Sequence, residues 1–203
     1  MHHIYHTEAF ILGTRQHGED SKIITLYTNE LGLVRAKAQG VRKISSKLRF
    51  TLQNFAYAKV DLVRGKEIWR ITTASPIDSN MDILCFPERE DVVAHVTSLV
   101  SRLVAGEERN DEIFFILKNL FEILRSTVSL DKAYCAKIEL FYVAKILMSL
   151  GYLSRSPNAL APQSYSPSLF ETISETIPDY FDDAAYRRKL ISEINEALSL
   201  SQL

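Results

Sequence analysis

Along the first eighty residues apolar and polar positions alternate with a period near two, and beyond Pro76 the apolar spacing lengthens to three and four. The alternating part divides into five short runs rich in Ile, Val, Thr and aromatic residues, at 8–15, 22–28, 33–39, 55–63 and 68–73. Turn-forming strings separate them: HGEDS at 17–21, NELG at 29–32 and RGKE at 64–67. In the third run Arg35, Lys37 and Gln39 share one face, while Val34, Ala36 and Ala38 share the other. Tyr57, Lys59 and Asp61 are likewise set opposite Ala56, Ala58, Val60 and Leu62. One face of each strand can therefore pack on a core while the other meets solvent. The stretch 41–54 is long for a hairpin, and its SSKLRFTLQ portion reads as a short helix with Ser45 or Ser46 as cap. Five strands with a helical interruption after the third outline an OB-fold, a small barrel often used to hold single strands.

The second pattern is helical. Residues 91–104 repeat Val92, Val93, Val96, Leu99, Val100, Leu103 and Val104 at helical spacing, with Gly106 ending the run. Residues 113–124 do the same, with Asn110 or Asp111 as N-cap. A third helix at 131–150 is apolar nearly all round from Ile138, which marks it as the central one, and Gly151 is placed to stop it. The Pro- and Ser-rich stretch 154–168 reads as a loop, followed by a short helix at 169–177 and a polar one at 182–200. The expected architecture is thus α+β, a five-stranded OB-fold barrel at 1–80 followed by an all-helical domain at 81–203.

Charge sharpens this division. Residues 1–80 hold 12 Lys+Arg against 7 Asp+Glu, a net of +5, whereas 81–203 hold 12 against 18, a net of −6. Two modules with different partners are implied, hidden behind an overall charge of −1. The densest point is RAKAQGVRKISSKLR, where Arg35, Lys37, Arg42, Lys43, Lys47 and Arg49 fall within fifteen residues without a carboxylate. Most charge runs are merely solvated surface. Six cations beside strands, two of them on one strand face, are what a phosphate backbone would meet. These six form the expected nucleic-acid track, with Arg15, Lys22 and Arg70 as extensions. Neutralising six phosphates gives a slope of log K against log salt of about −4 on single strands.

Phe10, Tyr27, Phe50, Phe55, Tyr57 and Trp69 are aromatic residues that could stack on bases, though small barrels also need them as core. Tyr57, on the face of Lys59, is the expected stacker, and Trp69 is read as packing. Chemistry beyond binding has no footing in the sequence. His2, His3 and His6 lack a fourth metal ligand and read as a mobile terminus, and the pairs 107–108 and 182–183 read as surface charge. No GxSxG, Walker or GxGxxG string occurs, so neither catalysis nor a cofactor or metal is expected. Cys85 and Cys135 read as buried free thiols of a reducing cytoplasm. The start has no leader pattern, and no apolar run is long enough for a membrane span.

Several strings, in order, resemble the bacterial RecO family of recombination mediators. They are ILGTRQHGEDSKIITLYTNELGLVRAKAQGVRK from Ile11, SKLRFTLQNF from Ser46, VRGKEIWRITTASPID from Val63, and LMSLGYL from Leu147. The specificity lies in their order and spacing rather than in any one string. The resemblance implies an N-terminal OB-fold, a helical C-terminal domain and no catalytic turnover. It implies binding of single- and double-stranded DNA, annealing of complementary strands, and help to RecA in displacing single-strand-binding protein during recombinational repair. It also implies RecR and the acidic C-terminal tail of single-strand-binding protein as partners, and a cytoplasmic, nucleoid-associated location in a bacterium. Arg102, Lys118, Arg125, Lys132 and Lys137 are cations that such a tail could use, with no choice among them. Many members carry a four-cysteine zinc module after the helix that ends in the LGY-like string. Residues 154–168 contain neither Cys nor His, so a zinc-less, shortened variant is expected. Two other readings remain open: an RNA-binding OB-fold protein of translation or RNA processing, and an adaptor that uses only its helices.

Overall fold

Five strands, β1 (Ile4–His17), β2 (Ser21–Thr28), β3 (Gly32–Ala38), β4 (Tyr57–Arg64) and β5 (Trp69–Asp78), form the first half of the computed structural model. They close into a barrel in the order β1-β2-β3-β5-β4, with β3 and β5 parallel and every other pair antiparallel. This is the OB-fold that the alternation predicts. Residues 3–43, 46–127, 131–153 and 177–200 are described. The chain divides into two compact units, one of Met1–Cys85 with Val104–Leu117, the other of Phe86–Leu103 with Lys118–Leu203.

The barrel interior mixes small and branched side chains. Ala9, Ala36, Ala38 and Ala58 alternate with Ile11, Ile24, Leu26, Val60 and Leu62, all at 0% or 1% exposure. A five-stranded barrel has little room inside, so the alanines let the strands curl while the larger residues fill what remains. β1 serves both sides: residues 4–10 pair with β4 and residues 9–17 with β2. A bulge between Ile11 and Gly13 bends the strand between these two roles. The short helix α1 (Leu48–Thr51) closes the barrel with Leu48, Thr51 and Leu52 turned inward. Its N-cap is Lys47 without a side-chain bond, so Ser46 does not cap it, and Ser45 lies outside the described residues.

Two strands are longer than their patterns suggest. β1 begins at Ile4 and β5 runs on to Asp78, because their extra residues are mostly polar or exposed and leave little alternation to read. His6 is therefore in a strand rather than a mobile end, with Nδ1 2.5 Å from Asp61 Oδ1. Asn80 follows β5 in the left-handed region at φ 54° and donates from Nδ2 to the carbonyl of Phe55 at 2.7 Å, itself at φ 68°. One buried amide thus supports both strained positions.

The remaining helices are α2 (Met81–Leu84), α3 (Pro87–Leu103), α4 (Asp111–Ser126), α5 (Lys132–Ser149) and α6 (Ala184–Leu200), with a 3₁₀ turn at Asp179–Asp182. α3 starts at Pro87, five residues before Val92 opens its apolar stripe, since proline suits the first helical position. α4 is capped by Asn110, whose Oδ1 accepts the Ile113 N–H at 3.2 Å. α5 is capped by Asp131 through the Tyr134 N–H at 2.7 Å. It ends as expected at Gly151 (φ 79°): the Tyr152 N–H returns to the Leu147 carbonyl at 2.8 Å and the Gly151 N–H to that of Met148 at 3.1 Å. In this helical unit α5 packs on α3 and α6, burying Val96, Val100, Ile138, Tyr142, Leu147 and Leu190. The helix expected at 169–177 and the loop at 154–168 fall outside the described residues, apart from Ile177. Cys135 is buried on α5, but Cys85 at the end of α2 is exposed.

Candidate nucleic-acid interface

The outer face of β1, β2 and β3 is divided along its length. At one end the cross-strand row Tyr57–Phe10–Tyr27–Leu33 faces outward and is roofed by residues 104–117 of the same unit. Phe10 stacks on Tyr57 at 4.5 Å and lies 5.4 Å from the Phe114 ring, and Tyr27, fully buried, donates its hydroxyl to the Asn110 carbonyl at 3.1 Å. Burial raises the Tyr27 pKa above its ordinary value. Gly32, at φ 67°, leaves room for the roof: a Cβ there would sit 2.0 Å from the Glu108 carbonyl oxygen. Trp69 fastens the roof elsewhere, its Nε1 donating to Glu107 Oε1 at 2.6 Å, with the Arg64 guanidinium 5.6 Å over its ring.

Further along the same strands the outward residues change character. Register sets Arg15 opposite Ile23, Ile23 opposite Lys37, and Lys37 opposite Arg70, so three cations line one row across four strands. At about 4.8 Å per strand, Lys37 and Arg70 are neighbours and Arg15 is about 10 Å from Lys37. Arg35 is the next outward residue on β3 and is exposed. None of these four makes an ion pair among the described residues. This is the surface, strands 2 and 3 with the adjoining loops, on which OB-folds generally take their ligands.

The sequence-predicted residues do not all join this row. Lys37 and Arg15 do, and Arg35 lies in the next outward row beside it. Lys22 does not: it pairs with Ala38, whose face is the core, so it sits at the barrel end on inward parity. Arg42 and Lys43 serve as struts. Arg42 Nη1 donates to the carbonyls of Gly18 at 3.2 Å and Glu19 at 2.7 Å, and Lys43 Nζ is 3.7 Å from Asp20 Oδ2, which ties the loop after β3 to the β1–β2 turn. Lys47 and Arg49 are exposed at α1. Tyr57 is not the free aromatic expected. It is sandwiched with Phe10, tilted on Phe114 at 6.3 Å, and its hydroxyl donates to Glu8. Arg70, read only as an extension, is central, because the parallel β3–β5 pairing that sets it beside Lys37 is non-local.

The exterior of β1 and β4 is different again. A cleft of about 530 Å³ there is lined by His6, Glu8, Glu30, Lys59, Asp61 and Thr73 among others. Asp61 accepts hydrogen bonds from Thr73 and His6, and the Thr73 bond above all holds its carboxyl below the usual range. Three carboxylates stand here against one lysine and His6, which leaves little for a polyanion. In the helical unit a cleft of about 690 Å³ runs between α5 and α6. Its lining holds Asp131, Glu139 and Asp182 against Lys137 and Arg187, and Lys137 is held by Asp182 at 2.5 Å. Among the described residues no group of His, Cys, Asp or Glu is arranged to hold a metal, and no helix is long and apolar enough to cross a membrane. A four-cysteine zinc module does not fit a chain with two cysteines, one exposed and one buried on a helix.

Barrel, roof and helical unit together define an OB-fold protein with an all-helical second part. Residues 1–80 match the family model described as recombination protein O N terminal. The chain is also similar to three bacterial proteins named DNA repair protein RecO. That of Pelotomaculum thermopropionicum is 31% identical over 173 residues, covering 82% of this chain and 65% of the relative. Those of Dehalococcoides mccartyi and a Roseiflexus species are 31% and 30% identical over 150 and 149 residues, covering 74% and 73% of this chain and 57% and 50% of theirs. Through residues 1–80 the chain carries the N-terminal domain of the RecO family, and it spans from half to about two thirds of the length of these relatives.

Proposed function

We propose that this chain is a DNA-binding recombination mediator of DNA repair. The open row Arg15–Lys37–Arg70 with Arg35 beside it carries the reading, supported by the names of the relatives. The row gives phosphates a line of cations without reading base edges, so single- and double-stranded DNA both bind, and binding is sequence-tolerant. Two complementary strands whose phosphates are neutralised on such a surface repel each other less, which favours annealing. The protein acts by binding alone, with no bond made or broken. RecR, the acidic tail of single-strand-binding protein and, indirectly, RecA are its partners, and its place is the bacterial cytoplasm at the nucleoid.

The six cations of this reading are Arg15, Arg35, Lys37 and Arg70 on the sheet with Lys47 and Arg49 at α1, a choice supported by strand register and exposure. The test is annealing of complementary oligonucleotides at two salt concentrations, with and without single-strand-binding protein. Annealing is expected, with a slope of log K against log salt of about −4 on single strands. Salt-independent affinity, or binding confined to structured RNA, overturns the reading.

A further inference from the structure

We infer that Phe50 is a base-stacking residue, which gives the interface a preference for single strands over duplex. The inference rests on the nucleic-acid reading of the barrel and adds to it the residue that distinguishes two forms of the polyanion. Phe50 is 70% exposed, the highest value among the large exposed hydrophobic side chains of the described residues. The core does not ask for it. In α1 the inward positions are Leu48, Thr51 and Leu52, spaced three and four apart, while Arg49 and Phe50 occupy the other side. A polar residue at 50 would serve the barrel equally well, so an aromatic ring there points to something outside the fold.

Its surroundings say what that is. Lys47 and Arg49 shortly precede it and are exposed. From residue 31 to residue 60 the chain contains not one Asp or Glu. α1 packs on β5, the strand that carries Arg70, and the loop leading towards α1 is anchored by Arg42 to the β1–β2 turn. An exposed ring among cations meets the two needs of a single strand: phosphates are held by charge, and a base whose faces are open stacks on the phenyl group. In a duplex the bases are already stacked on one another, so the ring gains nothing and only the charges act. A partner protein with an apolar anchor would fit the ring but not the cations.

The test compares oligothymidylate with a blunt duplex. Phe50→Ala is expected to weaken oligothymidylate binding roughly 5- to 150-fold, the worth of one stacked base, while duplex affinity and the salt slope stay as they were. Phe50→Trp is expected to keep the affinity, and its emission to be quenched on adding oligothymidylate; Trp69 is 4% exposed and contributes a constant background. Equal oligothymidylate affinity in Phe50→Ala, equal loss on both DNA forms, or a change in oligomeric state overturns the stack. Arg35→Ala/Lys37→Ala is measured alongside. If it loses binding and Phe50→Ala does not, the stack fails and the interface stands; if neither loses binding, the interface reading fails as well.

Discussion

Two ends of one sheet face meet different fates in this barrel. On β1, β2 and β3 the outward residues Phe10, Tyr27 and Leu33 are buried at the end where the chain's own residues 104–117 lie, while further along the same strands Arg15 is exposed and Ile23 and Lys37 are half-buried. The strands, their pairing and their parity are common to both ends. What differs is the chemistry of the outward side chains. An aromatic row is worth burying, and the fold supplies its own cover; a cationic row is costly to bury without partners and stays in water. The barrel thus covers one part of its exterior and leaves another open, and the sequence decides the boundary residue by residue. On β3 that boundary falls between Leu33, 7% exposed, and the exposed Arg35.

The covered end should carry the larger energy. Phe10→Ala removes a side chain 2% exposed that touches Tyr57 and Phe114, and should cost about 3–5 kcal/mol in denaturant unfolding. In the fraction still folded, the salt dependence of DNA binding should not change. Were Phe10→Ala instead to leave stability intact, the roof would not be part of the fold's own cover. The open end should behave inversely. Arg35→Ala/Lys37→Ala removes two phosphate contacts, so the slope on single strands should flatten by about 1.4, which amounts to about 25-fold in affinity at about 0.1 M salt. Stability should move by less than about 0.5 kcal/mol, because neither residue has an ion pair to lose among the described residues. A drop in stability with unchanged affinity would reverse the assignment of the two ends.

How far this division could be read from the sequence depends on the range of the interactions that make it. The strands and the inward parity of Val34, Ala36 and Ala38 were legible, since period-two alternation is local. So was the helix stop at Gly151, whose hydrogen bonds close within six residues. The roof was not: residues 104–117 give no local sign that they lie on Phe10 and Tyr27, more than eighty residues earlier. For the same reason Tyr57, outward by parity, was expected to be free and is packed. Charge density points to a candidate region but does not tell the work of each cation. Arg42 and Lys43 look like Lys47 and Arg49 in the sequence, yet the former bind the carbonyls and carboxylate of the 18–20 turn. Arg70 gains its place only through the parallel pairing of β3 and β5.

A third stretch of exterior, on β1 and β4, tests whether charge alone or unpaired charge makes the difference. The Asp61 carboxyl is held low by the Thr73 hydroxyl and by His6, so the folded state binds its proton less readily than the unfolded chain does. The stabilisation this gives is complete above the ordinary carboxylate range and is lost as pH falls through that range towards the lowered value. Asp61→Asn should therefore flatten the acid limb of the stability profile, measured by thermal unfolding across pH, and leave the neutral limb nearly parallel to that of the unaltered chain. Parallel acid limbs in the two proteins would mean the network contributes nothing.

The smallest effect is expected at Lys59, and it is the most discriminating. Lys59 is exposed and outward, as Arg35 is, but it shares its cleft with Glu8, Glu30 and Asp61. A phosphate approaching it meets three carboxylates for one ammonium group, so the local potential is repulsive. Lys59→Ala should change single-strand affinity by less than about twofold, where a lysine in the open row is worth about 5-fold at about 0.1 M salt. Fluorescence anisotropy of a labelled oligonucleotide resolves that difference. A loss at Lys59 equal to that at Lys37 would mean that the whole exterior attracts DNA through net charge, and that the row across β1, β2, β3 and β5 has no privileged role.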